Sequence, residues 1–143
     1  MIDEILMQVE KPARYIGNEI NMIVKDPKNV DIRFAFCFPD SYEVGMSYVG
    51  LQILYFFMNR RDDVYCERVF APWHDMEEKM RENNIELFTL ETGDSVRNFD
   101  FVGFTLQYEM TYTNIINMLN LGNIPIWSKD RSENDPIIIA GGP

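Results

Sequence analysis

Residues 31–57 read DIRFAFCFPDSYEVGMSYVGLQILYFF, and this stretch decides the fold class. Its first part, at 32–38, is a short apolar run that stops at Pro39 and Asp40, which is typical of a parallel strand covered on both faces. The segment 46–61 has apolar residues on every side and therefore predicts a heavily buried helix. Its apolar positions at helical spacing are Met46, Val49, Gly50, Ile53 and Phe57.

Strand and helix patterns alternate along the rest of the chain. Such alternation predicts an open, mostly parallel, doubly wound α/β sheet of about five strands, Rossmann-like or flavodoxin-like in type. We expect the strand order 2-1-3-4-5, in which the loops at 39–45, 106–111 and 141–143 meet at the carboxyl edge, where ligands bind. The further predicted strands are 64–70, 85–93, 99–107 and 136–143, the helices are 73–84 and 111–122, and the predicted core includes Phe34, Phe36, Phe104 and Ile138.

Composition favours one folded α/β domain. The chain has 143 residues, of which 46% are hydrophobic, enough for a continuous core. Residues 1–30 mix short apolar pieces with prolines and a glycine, which predicts an N-terminal arm lying on a domain at 31–143. The last predicted strand still needs a covering element, so we expect this domain to be truncated at its C-terminus.

Charge and hydropathy exclude several partners. The net charge of −10, with scattered basic residues, argues against nucleic-acid binding. The N-terminus lacks the basic region of a signal peptide, and no stretch approaches the roughly 18 apolar residues of a spanning helix. We therefore expect a soluble, cytoplasmic chain with no membrane partner.

The two cysteines and the single histidine do not form a metal-binding pattern. Cys37 and Cys66 each lie inside an apolar run, without Cys-x-x-Cys or Cys/His spacing, which favours buried thiols. His74 has no second ligand residue beside it in a metal-binding pattern. We expect neither a metal site nor a disulfide.

Three loops at the predicted carboxyl edge resemble the cobalamin-binding domain. That family carries Asp-x-His-x-x-Gly after its first strand, Ser-x-Leu after its fourth and Gly-Gly after its fifth. Here Tyr42 stands in the place of the cobalt-binding histidine, and Thr105 stands in the place of the serine. The resemblance implies a cofactor-binding edge whose glycines leave room for a nucleotide tail. The candidate cofactor-binding residues are Asp40, Tyr42, Gly45, Thr105, Gly141 and Gly142.

Longer stretches resemble the N-terminal region of an uncharacterised radical S-adenosylmethionine (radical SAM) protein family, over about residues 11–143. They are PDSYEVGMSYVGLQILY, ERVFAPWHDMEEKM, LFTLETG, FDFVGFTLQYEMTYTNIINMLNLGNIPI and IIIAGGP. The resemblance implies a following barrel whose Cys-x-x-x-Cys-x-x-Cys motif holds a [4Fe–4S] cluster and cleaves S-adenosylmethionine. No such motif exists here, so we expect the barrel beyond this fragment in the same polypeptide, and no catalytic residue in the fragment itself.

Three functions remain open at this point. The first is a degenerate cobalamin-binding-like domain that serves as a lid or docking surface for the barrel. The second is a genuine cobalamin-binding domain that lacks a histidine ligand to cobalt. The third is a free-standing flavodoxin-like or receiver-like signalling module, although residues 90–93 offer no phosphorylatable aspartate after the third predicted strand. The substrate of the parent enzyme and its oligomeric state are not predicted.

Overall fold

The computed structural model describes residues 1–142, and these contain four parallel strands in one open sheet with helices on both faces. The strand order is β2-β1-β3-β4, which confirms the predicted α/β class with four strands in place of about five. Pro143, at the end of the last predicted strand, lies outside the described residues. The strands are β1 (Ile32–Phe38), β2 (Val64–Phe70), β3 (Phe101–Thr105) and β4 (Ile137–Gly141); the helices are α1 (Ile2–Leu6), α2 (Tyr42–Met46), α3 (Val49–Asn59), α4 (His74–Glu82) and α5 (Tyr112–Leu121).

The predicted third strand, 85–93, does not join the sheet. It makes one isolated antiparallel bridge, from Phe88 to Ser95, and otherwise lies along the free edge of β2. There the backbone N–H of Leu90 donates to the carbonyl oxygen of Arg68 at 3.0 Å. The predicted order 2-1-3-4-5 is therefore wrong at its third position, because β1 pairs directly with β3 (Phe101–Thr105), which corresponds to the fourth predicted strand, 99–107.

One face of the sheet, here called the covered face, packs against α1, α4 and α5. Alternate strand residues such as Ala35, Cys37 and Val102 point to this side and are buried against the helices. Met76 and Met80 of α4 are buried there. Of the predicted core residues, Phe36 and Phe104 are buried, whereas Phe34 and Ile138 are partly buried.

The opposite face, here called the open face, packs against α3. The prediction of a heavily buried helix is wrong for α3, because Leu51 and Tyr55 are buried against the sheet while Val49, Ile53 and Phe57 are exposed. A helix with apolar residues on every side has no distinct polar face to indicate its orientation, so tertiary contacts decide it. The orientation is held by hydrogen bonds that join the Tyr55 hydroxyl to Ile23 and the Asn59 amide to the backbone of Cys66.

Residues 1–30 pass from one face of the sheet to the other around β2. Ile5 is buried on the covered face, and Ile23 packs against the core of the open face. Between these contacts Gly17 adopts a positive φ of 62° and leaves no room for a side chain against the Leu90 carbonyl. Residues 1–30 therefore hold together the edge of β2, α3 and α4.

Candidate functional site

The loops after β1, β3 and β4 meet at the carboxyl edge of the sheet, where ligands bind in open α/β folds. The structure places the candidate residues there in two groups. Asp40, Tyr42 and Gly45 lie by the ends of β1 and β2, where the N–H of Ala71 donates to the carbonyl oxygen of Asp40 at 3.0 Å. Thr105, Gly141 and Gly142 lie by the ends of β3 and β4.

The Asp40 side chain shapes the turn that leads into α2. One carboxylate oxygen accepts the backbone N–H of Ser41 at 2.7 Å. A short polar side chain that binds the next backbone amide is a common way to start a turn or a helix. Asp40 thus has a structural partner within its own loop.

Tyr42, in the place of the cobalt-binding histidine, is held by a residue of the N-terminal segment. Its hydroxyl donates to Glu19 at 2.6 Å, and the other Glu19 oxygen accepts from Arg68 at 2.9 Å. Its ring meets the ring of Phe70 edge-on at 5.4 Å. Burial, and then the Glu19 carboxylate, raise the pKa of Tyr42 to about 12. The phenol is therefore neutral and already hydrogen-bonded at physiological pH.

Gly45 and Gly142 are required by close packing. A Cβ at Gly45 would overlap the ring of Phe70, so only glycine lets α2 pack on the strand ends. A Cβ at Gly142 would overlap the carbonyl oxygen of Leu106. The glycine there lets the loops after β3 and β4 approach each other, and the N–H of Leu106 donates to the Gly141 carbonyl at 2.7 Å.

An apolar cavity of about 390 Å³ lies between α3 and the β3–β4 half of the sheet and extends to the carboxyl edge. Thr105, Gly141 and Gly142 are among its lining residues, and the Gln107 side chain donates to the Thr105 hydroxyl at its upper end. A Cβ at Gly141 would have no atom within 4 Å, so this glycine leaves open space beside the cavity. Apolar side chains form most of the wall: Phe34, Phe36, Leu54, Met58 and Ile139.

A buried ionic cluster beside the site was missed from the sequence. Arg68 and Glu91 form an ion pair at 2.6 Å with exposed side-chain fractions of 1% and 0%. Burial raises the pKa of Glu91, and the nearby charge of Arg68 offsets only part of that rise. Burial acts to lower the pKa of Arg68, but the charge of Glu91 and the hydrogen bonds to Glu91 and Glu19 together outweigh it, and the pKa of Arg68 is raised. The adjacent charges of Glu67 and Arg68 inside the apolar run VYCERVF are the signal that could have indicated it.

The two cysteines are buried, Cys37 on β1 and Cys66 on β2, and burial raises the pKa of both thiols. In the described part of the chain, no three His, Cys, Asp or Glu side chains are grouped to bind a metal ion. A radical SAM cluster needs three thiolates, and the sequence contains two cysteines. The residues of this chain therefore do not fit that cluster. None of the helices within residues 1–142 is long and apolar enough to cross a bilayer.

These features define a Rossmann-type α/β domain whose carboxyl edge carries an apolar cavity. The chain belongs to the family described as "radical SAM proteins, N-terminal", whose model matches residues 50–143. This match confirms the resemblance noted in the sequence to the N-terminal region of radical SAM proteins.

A known relative is much longer than this chain. An uncharacterized protein of Methanocaldococcus jannaschii is 28% identical over 123 residues, which cover 85% of this chain and 20% of that protein. The chain thus spans about a fifth of the length of the curated relative it matches. No solved structure matches the chain at a significant level.

Proposed function

We propose that this chain is an accessory domain of a longer radical SAM protein and serves as a lid or docking domain for the catalytic barrel. The observation that supports this role is a rim of exposed apolar side chains around the carboxyl edge. Aromatic residues and methionine are enriched at protein interfaces, where they supply contact area. The rim residues are Val44, Tyr48, Tyr108, Met110 and Tyr112.

The polar candidate residues inside this rim already have partners within the chain. Asp40 binds Ser41, Tyr42 binds Glu19, and Thr105 is bound by Gln107. These contacts shape the edge, and they favour a role as a docking surface rather than as a reactive centre. Membership of the family implies that the parent protein holds a [4Fe–4S] cluster and S-adenosylmethionine, which supply the radical chemistry in another part of the polypeptide. We also propose a cytoplasmic location for the protein, as expected from the sequence.

The test uses hydrogen exchange in the full-length protein. Met110→Glu places a charge in the docked rim, and we expect amide exchange at 106–112 to rise at least about tenfold, which corresponds to about 1.4 kcal/mol of lost docking energy. Met7→Glu is the matched control, because Met7 is an exposed methionine that follows α1 and is not one of the rim residues. Equal exchange at 106–112 in Met110→Glu and the unmodified protein would contradict docking through this edge.

A second assay follows formation of 5′-deoxyadenosine after anaerobic cluster reconstitution and reduction. We expect turnover by the full-length protein and none by the 143-residue chain. Turnover by the short chain would exclude the accessory role. Absence of turnover in a fully reconstituted full-length protein would count against the radical SAM assignment.

The second candidate function is cobalamin binding without a histidine ligand. It is favoured by the cavity that Thr105 and Gly141 line at the carboxyl edge. Titration of the full-length protein with hydroxocobalamin tests it, with Gly141→Val filling the open space beside the cavity. A cobalamin-binding domain would give a complex without a histidine-ligated spectrum, and Gly141→Val would weaken it. An unchanged spectrum on titration would favour the lid.

A further inference from the structure

The two faces of the sheet are covered unequally. On the covered face, Val102 and Phe104 of β3 are 1% and 3% exposed. On the open face, α3 covers β2 and β1 only, and Ile137 and Ile139 of β4 are 58% and 44% exposed. Parallel strands with apolar residues on both faces are normally covered on both faces. The β3–β4 half of the open face therefore lacks a covering layer in the described residues.

This half of the open face forms a groove, which is the apolar cavity described above between α3 and the β3–β4 half of the sheet. Leu54 and Met58 of α3 form one wall, and β4 forms the other. At Gly103 the ring of Phe34 packs against the strand and forms part of the floor, because a Cβ there would lie 2.5 Å from that ring and 3.4 Å from the Ile139 side chain. Strands of five residues span roughly 16 Å, the length of a helix of about 11 residues.

The lining of the groove selects the kind of element that fits it. The residues that line the groove carry no charged side chain, and the polar groups of Thr105 and Gln107 lie at its carboxyl end. An amphipathic helix with an apolar stripe at i, i+3, i+4 and i+7 matches such a surface. It would pack beside α3 at the usual helix–helix spacing of about 8–10 Å.

We propose that an amphipathic helix of the same polypeptide, formed by residues that directly follow Pro143, fills this groove. This inference rests on the proposed function, in which the chain is an N-terminal domain of a longer protein; the matched residues cover 20% of the length of the Methanocaldococcus jannaschii relative. After β4 the backbone at Gly141 lies at the carboxyl end of the groove, so a helix that runs back along it needs only a short connection. A segment farther along the polypeptide would need a longer connection to reach the groove.

The test is photocross-linking in the full-length protein with benzoylphenylalanine in place of Ile139. We expect cross-links to residues within about 20 positions after Pro143, the length of a short loop plus one helix. The control carries the same group in place of Met7, which is 89% exposed near the covered face, and we expect no cross-link from it to that segment. Cross-links from position 139 to the catalytic domain, or between two molecules, would overturn the proposal.

A second measurement covers the case in which the bulky probe perturbs the groove. In the full-length protein we expect Ile139→Cys to react with a maleimide at least about tenfold more slowly than Met7→Cys. The natural Cys37 and Cys66 are buried, and following the modified peptide that contains position 139 or 7 by mass spectrometry separates its reaction from that of cysteines elsewhere in the full-length protein. Equal rates would show an open groove and overturn the proposal. Cross-links to the catalytic domain would contradict the proposed helix but would remain consistent with the docking function. Unchanged amide exchange in Met110→Glu would contradict the docking function but would not bear on the proposed helix.

Discussion

Arg68 and Glu91 bind each other twice. The guanidinium Nε of Arg68 donates to one carboxylate oxygen of Glu91 at 2.6 Å, and the backbone N–H of Arg68 donates to the other at 2.7 Å. A free strand edge normally exposes such backbone groups to pairing with another chain. Here a side chain from the 85–93 segment binds the edge of β2, which explains why that segment lies beside the sheet without becoming a strand.

Loss of the Glu91 carboxylate should strongly destabilise the fold. In Glu91→Ala the Arg68 charge stays buried with Glu19 as its remaining carboxylate partner, and removal of one member of a buried ion pair costs about 3–5 kcal/mol. The free energy of unfolding from urea titration measures this loss. Glu82→Ala, which removes the exposed partner of Lys79, is the control and should cost less than about 1 kcal/mol. Similar losses in the two variants would contradict this account.

The carboxyl of Glu19 should make stability depend on pH in the acid range. Burial alone would raise its pKa, but hydrogen bonds from Tyr42 and Arg68 outweigh burial and hold the pKa below its ordinary value of 4.5. A lowered folded-state pKa stabilises the protein above about pH 4.5, and this stabilisation is lost as the pH falls through the folded-state value. In urea titrations between about pH 7 and about pH 3, the advantage of the unmodified protein over Glu19→Gln should shrink. Parallel pH profiles would contradict the prediction.

Gly45 and Gly141 should respond differently to the same substitution. Gly45→Ala forces the new methyl into the ring of Phe70, and overpacking of this kind costs about 1–3 kcal/mol. Gly141→Ala meets open space and should change the free energy of unfolding by less than about 0.5 kcal/mol. Thermal unfolding of both variants checks the difference. Equal midpoints for the two variants would mean that the α2 packing tolerates a side chain.

Lys25 should contribute to stability through three hydrogen bonds. Its ammonium donates to the carbonyl oxygens of Asn59, Arg61 and Val64 at 2.9, 2.6 and 2.6 Å, where α3 ends and β2 begins. Lys25→Met removes a charged donor, and we expect a loss of about 1.5–3 kcal/mol in urea unfolding. Lys28→Met, an exposed lysine of the same segment, is the control and should leave stability nearly unchanged.

The strand positions could be predicted because their apolar runs are short and end at turn residues. VYCERVF corresponds residue for residue to β2, and IRFAFCF corresponds to β1. The segment IELFTLETG has a similar apolar start, but Thr89, Glu91 and Thr92 bind the side chains of β2. Those partners come from a distant part of the chain. The pattern of residues 85–93 alone therefore could not distinguish a strand from a segment bound along the edge of a strand.

The candidate site could be predicted in location but not in the state of its residues. The loops after β1, β3 and β4 meet at one edge because parallel strands point the same way. Whether a residue there is open or already bound depends on long-range contacts. Tyr42 is bound by Glu19, 23 positions earlier, whereas Gly141 faces open space.

Sequence alone determined the α/β class, the family and the edge at which the loops meet, because apolar periodicity and local turn residues are recorded within short windows of the chain. Tertiary structure alone decided which side of α3 is buried, where residues 85–93 lie and how Arg68, Glu19 and Glu91 are paired. The physical reason is that a helix with apolar residues on every side and a buried charge have no preferred orientation by themselves. Each takes its place from partners that only folding brings near.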